Sequence, residues 1–290
     1  MSEVVHVVGE VLATESVRTY RQMRITAPGV ASLAAPGQFV AVAVGGPTSA
    51  HLLRRCFSLH RVIPRGSDPE ALDVVVAPKG AGTRWLAGLD VGDEVDLVAP
   101  LGRPFPLPSE PGACVLVGGG YGSAPLFWLA EVLRSRGCVV ELVLGAADAD
   151  RLFGLEQAAD VADRVWVSTD DGSVGHKGWV SDRLGEVIAG AQAGNVYACG
   201  PMGMLHAVTR IAGEHGASAH VAVEESMACG IGVCMTCVLP VRDADGVTRM
   251  LRSCVDGPVF AGGDIRWDAF SDGLCAVPAD AIGAPEAGGH

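Results

Sequence analysis

Four cysteines near the C-terminal end constrain this chain more than any other feature. Cys229, Cys234 and Cys237 form a C-x4-C-x2-C run, and Cys254 follows after sixteen further residues. This is the plant-type spacing of a [2Fe–2S] centre, in which each of two irons takes two thiolates. Four sulfurs must then converge on one small site, so the chain between them has to turn tightly. Gly230 and Gly232 permit that turn and let backbone N–H groups aim at sulfur. A structural zinc site or disulfides are the alternatives. Zinc usually takes paired C-x2-C knuckles, and a single such knuckle is present. The iron–sulfur reading is preferred, and a one-electron centre needs an electron source and an outlet.

Composition narrows the partners. The net charge is −12, from 21 basic and 33 acidic residues, which argues against nucleic acid and against an anionic membrane surface. The N-terminus lacks a basic leader, and no run of about 18 uninterrupted apolar residues occurs. The chain reads as soluble and cytoplasmic. Five cysteines remain beyond the four ligands: Cys56, Cys114, Cys138, Cys199 and Cys275. Cys114 and Cys138 fall in apolar runs and read as buried packing residues.

With 290 residues there is room for two or three domains. Up to about residue 98 the apolar runs are short, Val-rich and broken by Gly and Pro, as at 4–11, 39–44, 57–62, 72–77 and 94–98. That spacing predicts a small antiparallel barrel. Two features within it carry possible chemistry. In Arg55-Cys56-Phe57-Ser58, a guanidinium suited to a diphosphate sits beside an aromatic ring and a hydroxyl. By itself this is also an ordinary strand with a solvated Arg. In Lys79-Gly80-Ala81-Gly82-Thr83, a Gly-rich backbone precedes a short helix and forms either an anion nest or a plain capped turn.

After the linker at 107–112 the rhythm changes. Residues 113–117 form a continuous apolar run of the parallel-strand type. Gly118-Gly119-Gly120-Tyr121-Gly122-Ser123 follows, then a helix over 125–136 and a strand over 138–145. The loop is not G-x-G-x-x-G, because Ser123 breaks that register. It still sets backbone N–H groups and a helix start against a possible pyrophosphate. Further strands are expected at 164–169 and 195–199, with helices over 179–189 and 202–215. Cys199-Gly200-Pro201 closes the last strand, at the edge where ligands bind in open α/β sheets. Cys199 has no identifiable base nearby and does not read as a nucleophile. No Ser/His/Asp set, paired carboxylates or metal-spaced histidines stand out, so no catalytic residue is assigned.

Barrel, glycine-loop α/β unit and cysteine segment, in that order, resemble ferredoxin-reductase-like electron-transfer proteins. Over about residues 3–267 the sequence is similar to the electron-transfer subunits of the NAD-linked bacterial dihydroorotate dehydrogenases. Arg55-Cys56-Phe57-Ser58 with Gly82-Thr83 resembles that family's FAD site. Gly118 to Pro125, the Asp170-Asp171-Gly172-Ser173 loop with Gly175-His176-Lys177-Gly178, and Cys199-Gly200-Pro201-Met202 resemble its nicotinamide-nucleotide half. The stretch from Glu224 through Cys237, with Arg252 to Phe260, resembles its cluster segment and is the most specific of the three.

The resemblance implies an α+β multidomain chain. A flavin-binding antiparallel β-barrel would cover 1–107, an NAD-binding α/β parallel-sheet domain 112–222, and a small [2Fe–2S] segment 223–267. The tail at 268–290 lies outside the resemblance, and its Ala/Gly/Pro/Asp-rich composition reads as flexible or loosely docked. The resemblance implies FAD held by Arg55, Phe57 and Ser58, with Gly82 and Thr83 at its phosphates and the backbone of Val75, Val76 and Ala77 along the adenosine. Cys56 stands where Pro, Ala or a similar residue is expected. Gly118, Gly119, Gly120 and Gly122, with Cys199, Gly200 and Pro201, would hold the nicotinamide nucleotide, and Cys229, Cys234, Cys237 and Cys254 the cluster. The implied partner is an FMN-containing catalytic subunit that oxidises dihydroorotate in pyrimidine biosynthesis, in a heterotetramer with two copies of each chain. Electrons would pass between that FMN and NAD by way of the cluster and FAD. A second reading keeps the modules and changes the partner: an NAD(P)H–ferredoxin reductase subunit of a hydrogenase or a bifurcating transhydrogenase. A third is a redox sensor on a degenerate reductase scaffold. Asp148 and Asp150 after the second strand of the α/β unit, with no basic cluster there, favour NAD over NADP.

Overall fold

The computed structural model describes residues 3–46, 48–66, 68–271 and 274–284. The first third is antiparallel, built from β1 (Val5–Val17), β2 (Tyr20–Thr26), β3 (Phe39–Val42), β4 (Arg55–Ser58), β5 (Arg61–Ile63), β6 (Ala71–Val76) and β7 (Glu94–Leu101), with a short helix α1 (Ala81–Ala87) between the last two. The strand order is β4-β3-β7-β1-β2-β6-β5. Met23, Ile25, Val40, Val42, Leu72, Val74 and Leu97 fill its interior. β2 carries Arg21 and Arg24, whose charges mask its alternation. Arg24 lies opposite Asp73 of β6 and holds that buried carboxylate with two bonds of 2.8 Å.

The single strand expected over 57–62 is two strands. The Leu59 N–H still bonds to Gln38 on the β3 side, at 3.0 Å, whereas the His60 N–H bonds to Asp73 of β6, at 2.9 Å. The chain changes partners there and turns the corner of the barrel.

The second sheet comes from alternating elements: β8 (Ala113–Gly119), α2 (Ala124–Ser135), β9 (Val139–Ala146), α3 (Leu155–Val161), β10 (Arg164–Thr169), β11 (His176–Lys177), α4 (Leu184–Ala191), β12 (Asn195–Cys199), α5 (Met202–Glu214) and β13 (Ser218–Ala222). Then follow a hairpin, β14 (Val238–Arg242) with β15 (Thr248–Arg252), and a short β16 (Val259–Ala261). The sheet runs β11-β10-β9-β8-β12-β13-β16, parallel except for the last pair. The interior of β8 is buried on both faces, as its apolar run predicts. β16 lies beyond 223 yet completes this sheet, so the cluster segment is woven into the α/β unit across the expected boundary. The expected helix over 179–189 begins five residues later, at Leu184. Asp182 takes the Trp179 N–H on its carboxylate at 2.9 Å, which holds the preceding residues in a turn.

Barrel and α/β unit share a core. Tyr20, Val75 and Phe105 pack with Leu126, Phe127, Phe153 and Tyr197. The Tyr197 hydroxyl donates to Pro106 O at 2.9 Å, and His60 Nδ1 lies 2.7 Å from Ala124 O at the start of α2.

The expected flexible tail is held where it is described. Arg266, only 14% exposed, bonds to Asp268, to Asp280 and to the Thr248 hydroxyl. Ile282 N–H bonds to Thr248 O at 3.0 Å. Small two-residue strands β17 (Phe270–Ser271) and β18 (Leu274–Cys275) pair between these anchors. The tail's Ala, Gly and Pro content concealed this docking, because the anchor is a single half-buried arginine outside it. Residues 285–290 of the expected tail lie outside the described residues. Among the described residues no helix is long and apolar enough to cross a membrane.

Candidate functional site

The cysteine run folds as a loop whose shape the glycines allow. Gly230 and Gly232 have φ of +72° and +83°. A Cβ on Gly232 would meet Val255 at 2.5 Å, so the loop is pressed against the chain that follows β15. Arg252 Nη1 donates to Gly232 O at 2.9 Å and ties down the same point. The sixteen-residue gap to Cys254 is closed by the β14–β15 hairpin. Val238 pairs with Arg252, which sets Cys237 and Cys254 side by side at the hairpin's open end. Ser253 secures that end, its N–H and its hydroxyl both donating to Cys237 O, at 2.8 and 2.9 Å.

All four expected ligands therefore gather in one place, with Cys237 and Cys254 buried, Cys229 half-buried and Cys234 exposed. Cys229 lies beside Cys234 and Cys254 beside Cys237, with Cys229 also close enough to act on Cys254. Among the described residues no three His, Cys, Asp or Glu side chains close on the position of a single metal ion. Donors point at sulfur: Val233 N–H to Cys229 Sγ at 3.4 Å, and the Thr236 hydroxyl to Cys234 Sγ at 3.1 Å. Partial burial of Cys229 opposes its ionisation. The N–H groups of Ile231, Cys234 and Val233 outweigh it and bring the thiol down to about 6. A site that favours thiolate suits a metal that binds only thiolate. Cys254 goes the other way, to about 12, through burial and its Cys237 neighbour. A cation at the site would reverse that.

β4 lies directly under this loop. Cys56 pairs with Ala41 of β3, and a Cβ on Gly230 would come within 3.1 Å of Cys56 Sγ. Cys56 thus faces the cysteine loop, packed with Phe39, Ala41, Cys237 and Cys254. Burial, then the nearby Cys229 and Cys237, push its thiol up to about 12. Its strand neighbours Arg55 and Phe57 take the other face. Phe57 packs on the barrel interior. The Arg55 guanidinium lies across Gly82 in the first turn of α1, where a Cβ would meet Val44 at 2.9 Å and Arg55 Nε at 3.2 Å. Arg55 Nη1 donates to Leu53 O at 2.7 Å, which fixes the guanidinium. Thr83 folds back, its hydroxyl accepting the Gly80 N–H at 3.0 Å. Ser58 is half-buried opposite Phe39. Val75 and Val76 are buried in β6 and offer only backbone, whereas Ala77 reaches the surface of a large crevice.

That crevice, of about 970 Å³, opens between the barrel and the C-terminal edge of the parallel sheet. β8 is the strand at which the sheet's order reverses, with β9 on one side and β12 on the other. Of the expected residues, Gly119, Gly120 and Pro201 line the crevice. Gly118, Gly122, Cys199 and Gly200 stand behind its wall. A Cβ on Gly122 would strike Cys199 O at 2.9 Å, and one on Gly119 would strike Pro201 Cδ at 2.9 Å, so these glycines let two loops interlock. Cys199 is buried, and burial raises its thiol, followed by Glu224.

Among the wall residues that sequence reasoning did not assign, three act on one another. Glu224 faces the crevice from the start of the cysteine segment, its carboxyl pushed up by the desolvation there and opposed by Lys79. Lys79 Nζ sits 4.6 Å from the Tyr121 ring centre. Burial, then Glu224 and Cys199, raise the Tyr121 phenol to about 12. No spacing rule links residues 79, 121 and 224. The fold alone assembles them.

The comparisons with known proteins agree with this geometry. Residues 224–266 match the model of the iron-sulfur cluster binding domain of dihydroorotate dehydrogenase B. The electron transfer subunit of dihydroorotate dehydrogenase B (NAD(+)) from Desulforamulus reducens is 34% identical over 247 residues, 85% of this chain and 92% of that one. The Fusobacterium nucleatum protein of the same name is 36% identical over 256 residues, 86% of this chain and 93% of that one. The chain belongs to this family of electron transfer subunits. Among solved structures, an NADH-dependent reduced ferredoxin-NADP oxidoreductase, studied for flavin-based electron bifurcation, superposes with a TM-score of 0.78 at 29% identity, covering 90% of this chain and 91% of that one. An Amycolatopsis cytochrome P450 reductase superposes with a TM-score of 0.60 at 26% identity, over 74% of this chain and 67% of that one. The family members match this chain in sequence over most of their length, while the solved structures are relatives in fold.

Proposed function

We propose that this chain carries electrons between NAD(H) and the catalytic subunit of dihydroorotate dehydrogenase B, through FAD and a [2Fe–2S] cluster. The observation that carries the reading is the contact of Cys56 with Gly230. The strand that bears the flavin motif touches the loop that bears the cysteines, and the barrel's other side opens on the nucleotide crevice. Three sites are thereby contiguous in one chain.

Each residue's task follows from its surroundings. Arg55, fixed over Gly82, clamps the FAD diphosphate, with Thr83 holding the turn beneath it. Phe57 and Ser58 meet the ring system, Cys56 adds backbone, and Val75, Val76 and Ala77 pass along the adenosine side. Gly118, Gly119, Gly120 and Gly122, interlocked with Cys199, Gly200 and Pro201, shape the nucleotide's bed. When bound, FAD accepts two electrons as hydride and releases them singly, which links NAD(H) to a one-electron centre. The C-x4-C-x2-C spacing with Cys254 brought up beside Cys237 supports two irons with two thiolates each.

The outlet is on the surface beside the cysteines. Ile231, Val233 and Met235 are exposed on the loop, Val233 by 75%, and Leu52 and Leu53 are exposed next to β4. Charge-poor apolar side chains at this point suit a permanent partner. We assign the cytoplasm as the site of action, two copies of each chain to the complex, and the domain limits 1–107, 112–222 and 223–267, with β16 shared.

Co-expression with an FMN-containing dihydroorotate dehydrogenase subunit tests this. Co-purification and NAD+-dependent oxidation of dihydroorotate are expected. A purified pair that reduces ferredoxin or oxidises hydrogen and leaves dihydroorotate untouched would contradict it and favour the bifurcating alternative.

A further inference from the structure

Five cysteines, not four, gather at the cysteine loop, one more than a [2Fe–2S] centre uses. The fifth is Cys56 of β4. It packs with Cys237 and Cys254 among Phe39, Ala41 and Leu101. Cys229, like Cys237, is close enough to act on it. The turn after Cys229 rests on this spot. A Cβ on Gly230 would meet Cys56 Sγ at 3.1 Å, Ala41 Cβ at 3.5 Å and Phe39 Cε2 at 3.6 Å, so the thiol is the barrel atom nearest that point of the loop.

The neighbours of the thiol are apolar groups and sulfur. Cys275, the other cysteine near the segment, donates its S–H to Val238 O at 3.3 Å. Cys56 Sγ has no such oxygen partner among the described residues. A thiol is a weak donor, and it gains most from a charged acceptor. The acceptors on offer to this one are the sulfurs of the cysteine loop.

The two faces of β4 therefore serve different groups. Arg55 and Phe57 turn to the flavin side, against Gly82 and the barrel interior. Cys56 turns to the cysteines. The ligands are graded along the same line, with Cys237 and Cys254 buried against the barrel and Cys234 exposed at the outlet.

We infer that Cys56 is a positioning residue for the inner side of the cluster, its S–H donating to sulfur there and setting the cluster's reduction potential against that of the flavin. Reduction adds one negative charge to the cluster, and a donor aimed at its sulfur bonds more strongly once that charge is present. The donor thereby raises the potential. A cluster so raised takes an electron from reduced FAD more readily and releases it to the partner less readily. The inference rests on reading the four cysteines as the ligands of a [2Fe–2S] centre beside FAD.

The test uses the complex with the catalytic subunit, loaded with FAD and cluster, as wild type, Cys56→Ala and Cys56→Ser. Redox titration followed by electron paramagnetic resonance gives the cluster midpoint. Cys56→Ala is expected to lower it by at least about threefold in the one-electron equilibrium, or about 28 mV at 59 mV per factor of ten. Serine keeps a donor, so its midpoint should stay at or above that of wild type. The FAD midpoint should move far less, because the thiol faces away from the flavin side. Both substitutions remove the bulk of sulfur, so a role in packing alone would shift them the same way. Midpoints that fall together, or that match wild type in both, would overturn the assignment. Pulsed resonance of the reduced cluster in deuterated buffer gives a second reading. A deuteron coupling present in wild type and Cys56→Ser and missing from Cys56→Ala is expected, and identical spectra in all three would overturn the donor role. Iron lost from Cys56→Ala and kept in Cys56→Ser would support that role, whereas iron lost from both would make Cys56 a packing residue and overturn it. Wild-type protein with no reducible [2Fe–2S] signal would overturn the cluster reading itself, and the inference with it.

Discussion

Single residues decide whether the two redox groups are held. Cys234 is the exposed member of the four thiols, and Cys229 has its thiolate stabilised by three N–H groups. Cys234→Ser should lower iron to well under half of wild type. Cys275→Ala should leave iron unchanged, although Cys275 lies near the segment with its Sγ 3.3 Å from Val238 O. Equal iron in both variants, measured by colorimetric assay, would remove Cys234 from the ligand set. At the flavin motif, Gly82→Ala puts a methyl 2.9 Å from Val44 and 3.2 Å from the Arg55 Nε. The guanidinium must move, and FAD affinity should fall by about tenfold or more, read as flavin lost on gel filtration. The cysteine ligands were legible in the sequence because sulfur spacing reports the metal directly. The orientation of Cys56 was not. It depends on which face of β4 meets a loop more than 170 residues later, and nothing local specifies that.

At the scale of elements, periodicity worked where both faces of a strand are buried. β12, buried from Val196 to Cys199, runs over the expected 195–199, and β10, only partly buried, still runs over the expected 164–169. It failed where an ion pair or a turn intervened, as with Arg24 of β2 against the buried Asp73 of β6, the corner between β4 and β5, and the Asp182 turn before α4. The tail is the clearest case, for Arg266 makes it part of the cluster segment. Arg266→Ala should speed proteolytic removal of the residues after 267 while the barrel and sheet stay intact. An unchanged cleavage rate would mean that the strands β17 and β18 hold the tail without that anchor.

The whole molecule depends on the join between barrel and α/β unit. His60 sits in that join, 3% exposed, its ring edge-on to Phe127 and Phe153. Burial holds its pKa below the usual 6.5, against the pull of Ala124 O, so the folded ring is neutral and donates from Nδ1. Below pH 6.5 the unfolded chain binds a proton there that the folded one refuses. Stability is therefore full above about pH 6.5 and falls as pH drops toward the lowered folded value, by up to about 1.4 kcal/mol per pH unit for this one group. Denaturant melts at several pH values should show that fall, and His60→Gln should flatten it. An identical slope in the variant would assign the acid sensitivity elsewhere. Domain order was legible from the sequence, but the shared core was not, since Tyr20, Phe105 and Tyr197 belong to segments that read as independent.

One measurement addresses the relay directly, an anaerobic titration of the purified chain with NADH, followed by visible absorbance and electron paramagnetic resonance. A flavin that takes two electrons and a cluster that takes one should together accept about three electrons per chain, or about 1.5 equivalents of NADH. Flavin bleaching should be accompanied by the signal of a reduced iron–sulfur centre, and Cys234→Ser should abolish that signal. Full flavin reduction with no paramagnetic iron signal, in protein that contains iron, would contradict the account.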